Sequence, residues 1–150
     1  MPLGGGSLIN AEAEAQLREL KRISSNLLAI VDSERSAAGA EPEANVRGFA
    51  EACAKAEIGC HVLELRAIEN YFPDHAVKAT MGESYRRLGP YERLRDVDPS
   101  WAKRENWRIA GAMTRLDLEG TDLGRRWVPS RLDLGANRPA TATIDRAGRG

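Results

Sequence analysis

Asp32 and Glu34 are the residues in this chain whose type and spacing first suggest chemistry. They follow five apolar residues in a row, Leu27, Leu28, Ala29, Ile30 and Val31. Such a run between polar segments reads as a strand of a parallel sheet, buried on both faces. Residues two apart on an extended backbone point the same way, so both carboxylates are expected to aim at one spot. Two hard oxygen donors suit Mg2+ or Mn2+ far better than zinc. The competing reading is a strand-end loop whose acids cap a helix or bend the chain. Glu69, a few residues beyond the next apolar stretch, is the third candidate acid; its alternative is a helix-dipole acid in a first turn. Lys103 lies with Arg104 and Arg108 among Trp101 and Trp107, a mixture that can track a phosphate backbone or simply form a core with a solvated basic face.

Other chemistry is poorly served. Cys53 and Cys60 form neither a disulfide framework nor a paired zinc motif, and His61 and His75 lack ligand-like spacing with them. Buried thiols in a reducing, cytoplasmic setting are the expectation. No stretch has the length of a membrane span, and Met1 to Gly6 has neither the basic nor the apolar region of a signal peptide.

The elements that must position these residues can be read in order. Asn10 is expected to cap a helix through Ile23, with Ala13, Leu17, Leu20 and Ile23 as its apolar stripe. The strand over 27–31 follows, then a small-residue loop. A second helix, about Glu43 to Glu57, carries Val46, Phe49, Ala50 and Cys53 on one face, with Gly59 as its stop. Cys60 to Leu65 is a second strand. Strand, helix, strand at this spacing is a parallel crossover, which brings both strand ends to one edge of the sheet. In open α/β sheets that edge collects ligands.

Beyond Pro73 short helices are expected, with a stop at Gly82, a break at Gly89-Pro90, a start at Asp98-Pro99-Ser100 leading to Met113, and a capping box of Thr114 with Asp117. Formal charge is zero over 150 residues, so no global field points to nucleic acid. The balance hides six arginines against two aspartates from Arg125 onward. There hydrophobic periodicity stops, and a disordered basic tail is expected over 125–150, either a nucleic-acid arm or the product of a frame change.

Leu28-Ala29-Ile30-Val31-Asp32-Ser33-Glu34-Arg35, the stretch from Arg66 through Ile68-Glu69-Asn70-Tyr71-Phe72, and Trp101 to Arg108 together resemble the Toprim domain of OLD-family (overcoming lysogenization defect) nucleases. The similarity runs from about Leu3 to Gly124. It implies an α/β fold, a partial Toprim core with a Rossmann-like parallel sheet over 1–72, and a helical extension over 73–124. It further implies DNA cleavage by two-metal catalysis, with Mg2+ or Mn2+ held by Asp32, Glu34 and Glu69. Ser33 is placed to orient a ligand, and Lys103 matches the family's basic residue that stabilises transition-state charge. Glu34 stands where the general Toprim pattern has aspartate.

Two strands make a small sheet, and the opening glycine loop has no strand before it. The expectation is that the family's glutamate-bearing strand and its ATPase domain or subunit lie upstream. On that reading the chain is the back portion of a truncated endonuclease that alone binds metal weakly and cuts poorly or not at all. The resemblance leaves a homodimer open. The alternative function is a non-catalytic remnant or interaction module of a nuclease assembly. An aspartyl nucleophile at Asp32 is a third reading, without a convincing supporting set of residues.

Overall fold

The computed structural model describes residues 13–127. Helix α1 (Ala13–Ile23) leads to strand β1 (Leu28–Val31), helix α2 (Ala44–Lys55) and strand β2 (Gly59–Val62). The strands pair in parallel, Leu28 opposite Gly59 through Val31 opposite Val62. The expected α/β crossover is therefore present, and among the described residues the sheet has two strands.

Periodicity explains how α1 and α2 pack. Ala13 and Leu17 meet Ala52, Cys53, Ala56 and Ile58, and Ala29 and Cys60 of the sheet press against the same cluster. Among the described residues only that face of the sheet is covered. Leu28 and Ile30, on the opposite face, remain 36% and 51% exposed, so β1 is not buried on both faces as its composition suggested. Ile23, the last residue of α1 and of its apolar stripe, is 84% exposed. The cap expected at Asn10 lies outside the described residues.

Helix α2 ends differently from its sequence signal. Glu57, not Gly59, takes the left-handed conformation, at φ 56°. Ile58 N then donates to Cys53 O at 2.9 Å, closing the helix end. Gly59 instead opens β2, where a Cβ would come within 2.9 Å of Leu28 Cδ1.

After β2 come a 3₁₀ turn (Ile68–Tyr71), α3 (Asp74–Met81), 3₁₀ turns at Leu94–Asp96 and Lys103–Glu105, then α4 (Asn106–Gly111), α5 (Arg115–Leu118) and α6 (Asp122–Trp127). Pro73 and Gly82 bound α3 as expected, with Gly82 at φ 108°. Thr114 N and Oγ1 both donate to Asp117 Oδ2, forming the expected cap. No helix begins at Asp98-Pro99-Ser100. Trp101 turns into the core instead, its Nε1 donating to Asn106 Oδ1 at 3.0 Å, and α4 starts only at Asn106.

Phe72, Ala76, Val77, Leu88, Val97, Trp101 and Ile109 form a second core. A third, small cluster of Leu63, Tyr71 and Leu123 brings α6 back against the end of β2. The chain is still helical at Trp127, past the boundary expected at 124/125. Residues 125–127 of the tail expected to be disordered belong to α6, and the rest of that tail lies outside the described residues. Among the described residues no helix is long and apolar enough to cross a membrane.

Candidate metal centre

The site forms where β1 and β2 end. Parallel pairing continues just past the strands: Leu63 N donates to Val31 O at 3.0 Å, and Glu34 N to Arg66 O at 2.9 Å. Ser33, fully buried, donates its hydroxyl to Leu65 O at 2.7 Å. It therefore ties the two strand ends together rather than orienting a ligand.

Alternation does not carry through to Glu34. The strand ends at Val31, and Glu34 adopts φ 55°, so Asp32 and Glu34 are not aimed alike by the pleat. Glu34 turns to Arg66, a residue only 7% exposed. The Arg66 guanidinium ion-pairs with the Glu34 carboxylate and donates Nη1 to the carbonyls of Glu34 and Arg35, each at 3.0 Å. This clamp gives the acidic loop its shape.

The 3₁₀ turn Ile68–Tyr71 supplies the other side. Ile68 N donates to Asp32 Oδ1 at 3.0 Å. Asn70 receives Ala67 N at 3.0 Å and donates to Gly89 O at 2.6 Å and Glu92 O at 2.9 Å, stapling the turn to the loop beneath it. Tyr71 donates its hydroxyl to Asp122 Oδ1 at 2.6 Å and accepts Leu65 N at 3.1 Å. Between these anchors sits Glu69, 1% exposed. Neither of its carboxylate oxygens has an aligned hydrogen-bond donor among the described residues. Lys103 Nζ, on an exposed stem from the Lys103–Glu105 turn, lies 3.0 Å from Glu69 Oε1 and supplies charge.

The four candidates act on one another electrostatically. Burial raises the Asp32 carboxyl above its ordinary value, and the charges of Glu69 and Glu34 reinforce this against the Ile68 amide and Lys103. For Lys103, burial works downward, but Glu69, Asp32 and Glu34 outweigh it and hold the ammonium above its ordinary value. Glu34, Glu69, Arg66 and Lys103 line a cavity of about 360 Å³, with Glu92, Arg93 and Arg95 also on its wall. Of the three acids, Glu34 and Glu69 line this cavity, and each carries a protein cation. Among the described residues no three His, Cys, Asp or Glu side chains form a ready ion-binding group.

Two residues that shape the site were given no role by the sequence. Arg66 stood inside a quoted motif, and its adjacency to the acids was the available signal. Asp122 had none. It is 5% exposed and accepts from Tyr71, from Glu64 N at 3.0 Å, and pairs with His61 Nε2 at 2.8 Å.

Of the remaining candidates, Trp101 is core, whereas Trp107 is 74% exposed, and Arg104 and Arg108 both pair with Glu105. Burial pushes the Cys53 thiol up to about 12 and raises Cys60 as well, so neither is an activated thiolate. No protein-family model matches the chain, and no curated protein or solved structure matches it significantly.

Proposed function

We propose that the chain carries the metal-binding portion of a Toprim-type, OLD-family DNA endonuclease, using Mg2+ or Mn2+. The observation that carries this reading is Glu69: a buried carboxylate whose oxygens lack aligned donors, beside Asp32 and facing a cavity at the carboxyl ends of parallel strands. A buried anion left in this state is costly unless something positive completes it, and hard carboxylate oxygens fit Mg2+ or Mn2+. Asp32 and Glu69 are the ligands the reading assigns, with Glu34 as a further one that must first leave Arg66. A bound divalent ion would activate water and offset charge on the leaving oxygen.

The chain's own residues divide the remaining tasks. Ile68 N orients Asp32, Asn70 and Tyr71 fix the turn that presents Glu69, and Arg66 holds the acidic loop. Lys103 is the cation available to a DNA phosphate. Arg93 and Arg95 on the cavity wall extend that basic surface.

One observation favours the second reading, a non-catalytic interaction module. Arg66 and Lys103 already balance Glu34 and Glu69 within the protein, as a purely structural ion network would. Thermal melting against metal, together with plasmid nicking, separates the two. On the nuclease reading Mg2+ or Mn2+ raises the melting point, by ~1.4 kcal/mol in stability at ten times Kd. Nicking is weak and is lost in Asp32→Ala. A melting point indifferent to metal, with no nicking, supports the module instead.

A further inference from the structure

The two cations paired with Glu34 and Glu69 are held very differently. Arg66 is buried and engaged by the Glu34 carboxylate and two carbonyls. Removing it would strand several acceptors. Among the described residues Lys103 has one polar contact at the rim, with Glu69 Oε1, and its side chain is 67% exposed. Its ammonium can leave by rotating a flexible stem into solvent, at small cost to the fold. What it leaves behind cannot follow: Glu69 is buried on a turn anchored at Ile68, Asn70 and Tyr71. The carboxylate therefore requires some cation at that position, and Lys103 provides one that the rest of the structure does not fix.

Building on the metal reading above, we infer that Lys103 is an exchangeable counter-ion of Glu69. A divalent cation entering the rim displaces its ammonium, which is then free to meet a substrate phosphate. The exchange couples two binding events. While Lys103 neutralises Glu69, a phosphate that captured it would strand the buried acid, so metal-free protein engages phosphate poorly through this residue. Once Glu69 is occupied, the same ammonium loses that ion pair. Metal and phosphate then favour each other, and linkage makes the effect reciprocal. The exchange also predicts weak metal affinity, because each ion must compete with a tethered cation.

The test reads Lys103 itself. The purified chain is acylated briefly with an amine-reactive acetylating ester across a Mg2+ titration, and modification of each lysine is quantified by peptide mass spectrometry. Mg2+ binding is measured in parallel by calorimetry. Lys21, Lys55 and Lys78 have their contacts elsewhere and serve as internal controls. Displacement predicts that Lys103 labelling rises roughly fivefold as Mg2+ binds, the order expected for release from a single ion pair. In Glu69→Gln it should be high from the start and insensitive to Mg2+. Lys103→Met, a change at an exposed side chain, should bind Mg2+ more tightly than wild type. If Mg2+ binds wild type and Asp32→Ala abolishes it, yet Lys103 labelling stays constant, the metal reading stands and the exchange is overturned. If no Mg2+ binds either wild type or Lys103→Met, the metal reading itself fails and takes the exchange with it.

Discussion

Asp122 should be among the most destabilising positions to change, although nothing in its local sequence marks it. Its carboxylate is 5% exposed and joins three groups from distant segments: the Tyr71 hydroxyl at 2.6 Å, Glu64 N at 3.0 Å and His61 Nε2 at 2.8 Å. Alanine leaves those groups without their acceptor in a poorly hydrated junction. Each stranded group costs ~1–3 kcal/mol before water or local relaxation recovers part of it, so a total loss of ~3–5 kcal/mol is expected. Tyr71→Phe removes only the hydroxyl that bridges Asp122 and Leu65 N, and should cost ~1–2 kcal/mol. The double variant should fall short of the sum by ~1 kcal/mol or more, because the two residues share one contact.

Urea unfolding at neutral pH gives these values directly, provided the slopes agree. pH supplies an independent check. Burial works to raise the Asp122 carboxyl, but Tyr71, the Glu64 amide and His61 prevail and hold it below the ordinary 3.8. A depressed carboxyl contributes stability that is complete above the unfolded value and lost as pH falls through the lower folded one. The gap between wild type and Asp122→Asn should therefore close as pH falls below about 5. An Asp122→Ala loss under ~1 kcal/mol, or strict additivity with Tyr71→Phe, would refute the junction as described.

Two further outcomes follow from the site and its support. Asp32→Asn should stabilise the metal-free protein at neutral pH, by ~0.5 kcal/mol or more in a chelator-containing thermal melt. Burial and the charges of Glu69 and Glu34 raise the Asp32 carboxyl, so its ionised form weighs against folding; the gain should vanish in acid, where wild type is protonated too. An unchanged or lower melting point at neutral pH would count against it. Gly124→Ala should detach α6, since its Cβ would lie 1.9 Å from Leu118 O, a backbone atom that cannot step aside. A loss of ~2 kcal/mol or more by chemical denaturation is expected, and a neutral result would contradict the placement of α6.

What could be read from the sequence was what local pattern determines. The α2 stripe of Val46 and Cys53, the parallel pairing on either side of it, the α3 bounds at Pro73 and Gly82, and the Thr114 cap all follow from spacing within one or two turns. Failures arose where a distant partner decides. The apolar composition of β1 suggested two covered faces, yet α1 and α2 cover only the side carrying Ala29. Alternation aligned Glu34 with Asp32, but Glu34 takes a left-handed conformation that a pleat does not contain, and there it meets Arg66. A glycine was expected to stop α2, while the geometry fell on Glu57. The site shows the same division. Glu69 can be singled out because it follows a strand closely, whereas Asp122, over fifty positions later, reaches Tyr71 only through folding.

The 3₁₀ turn Ile68–Tyr71 explains why the acids and the distant helix belong to one argument. Its four residues bind four different places: Ile68 N the Asp32 carboxylate, Glu69 the Lys103 ammonium, Asn70 the Gly89–Glu92 loop, and Tyr71 the Asp122 carboxylate. Three of those contacts are hydrogen bonds that fix backbone position. The fourth is the ion pair on the flexible stem. The rigidity therefore lies in the frame and the freedom in the cation. A carboxylate that served only the fold would be better completed by fixed donors, as Asp122 is. Glu69 has the rigid mounting of a structural residue but, among the described residues, no aligned donor, only the Lys103 ammonium; the proposed binding role needs that combination, and the Asp122 junction a few residues away lacks it.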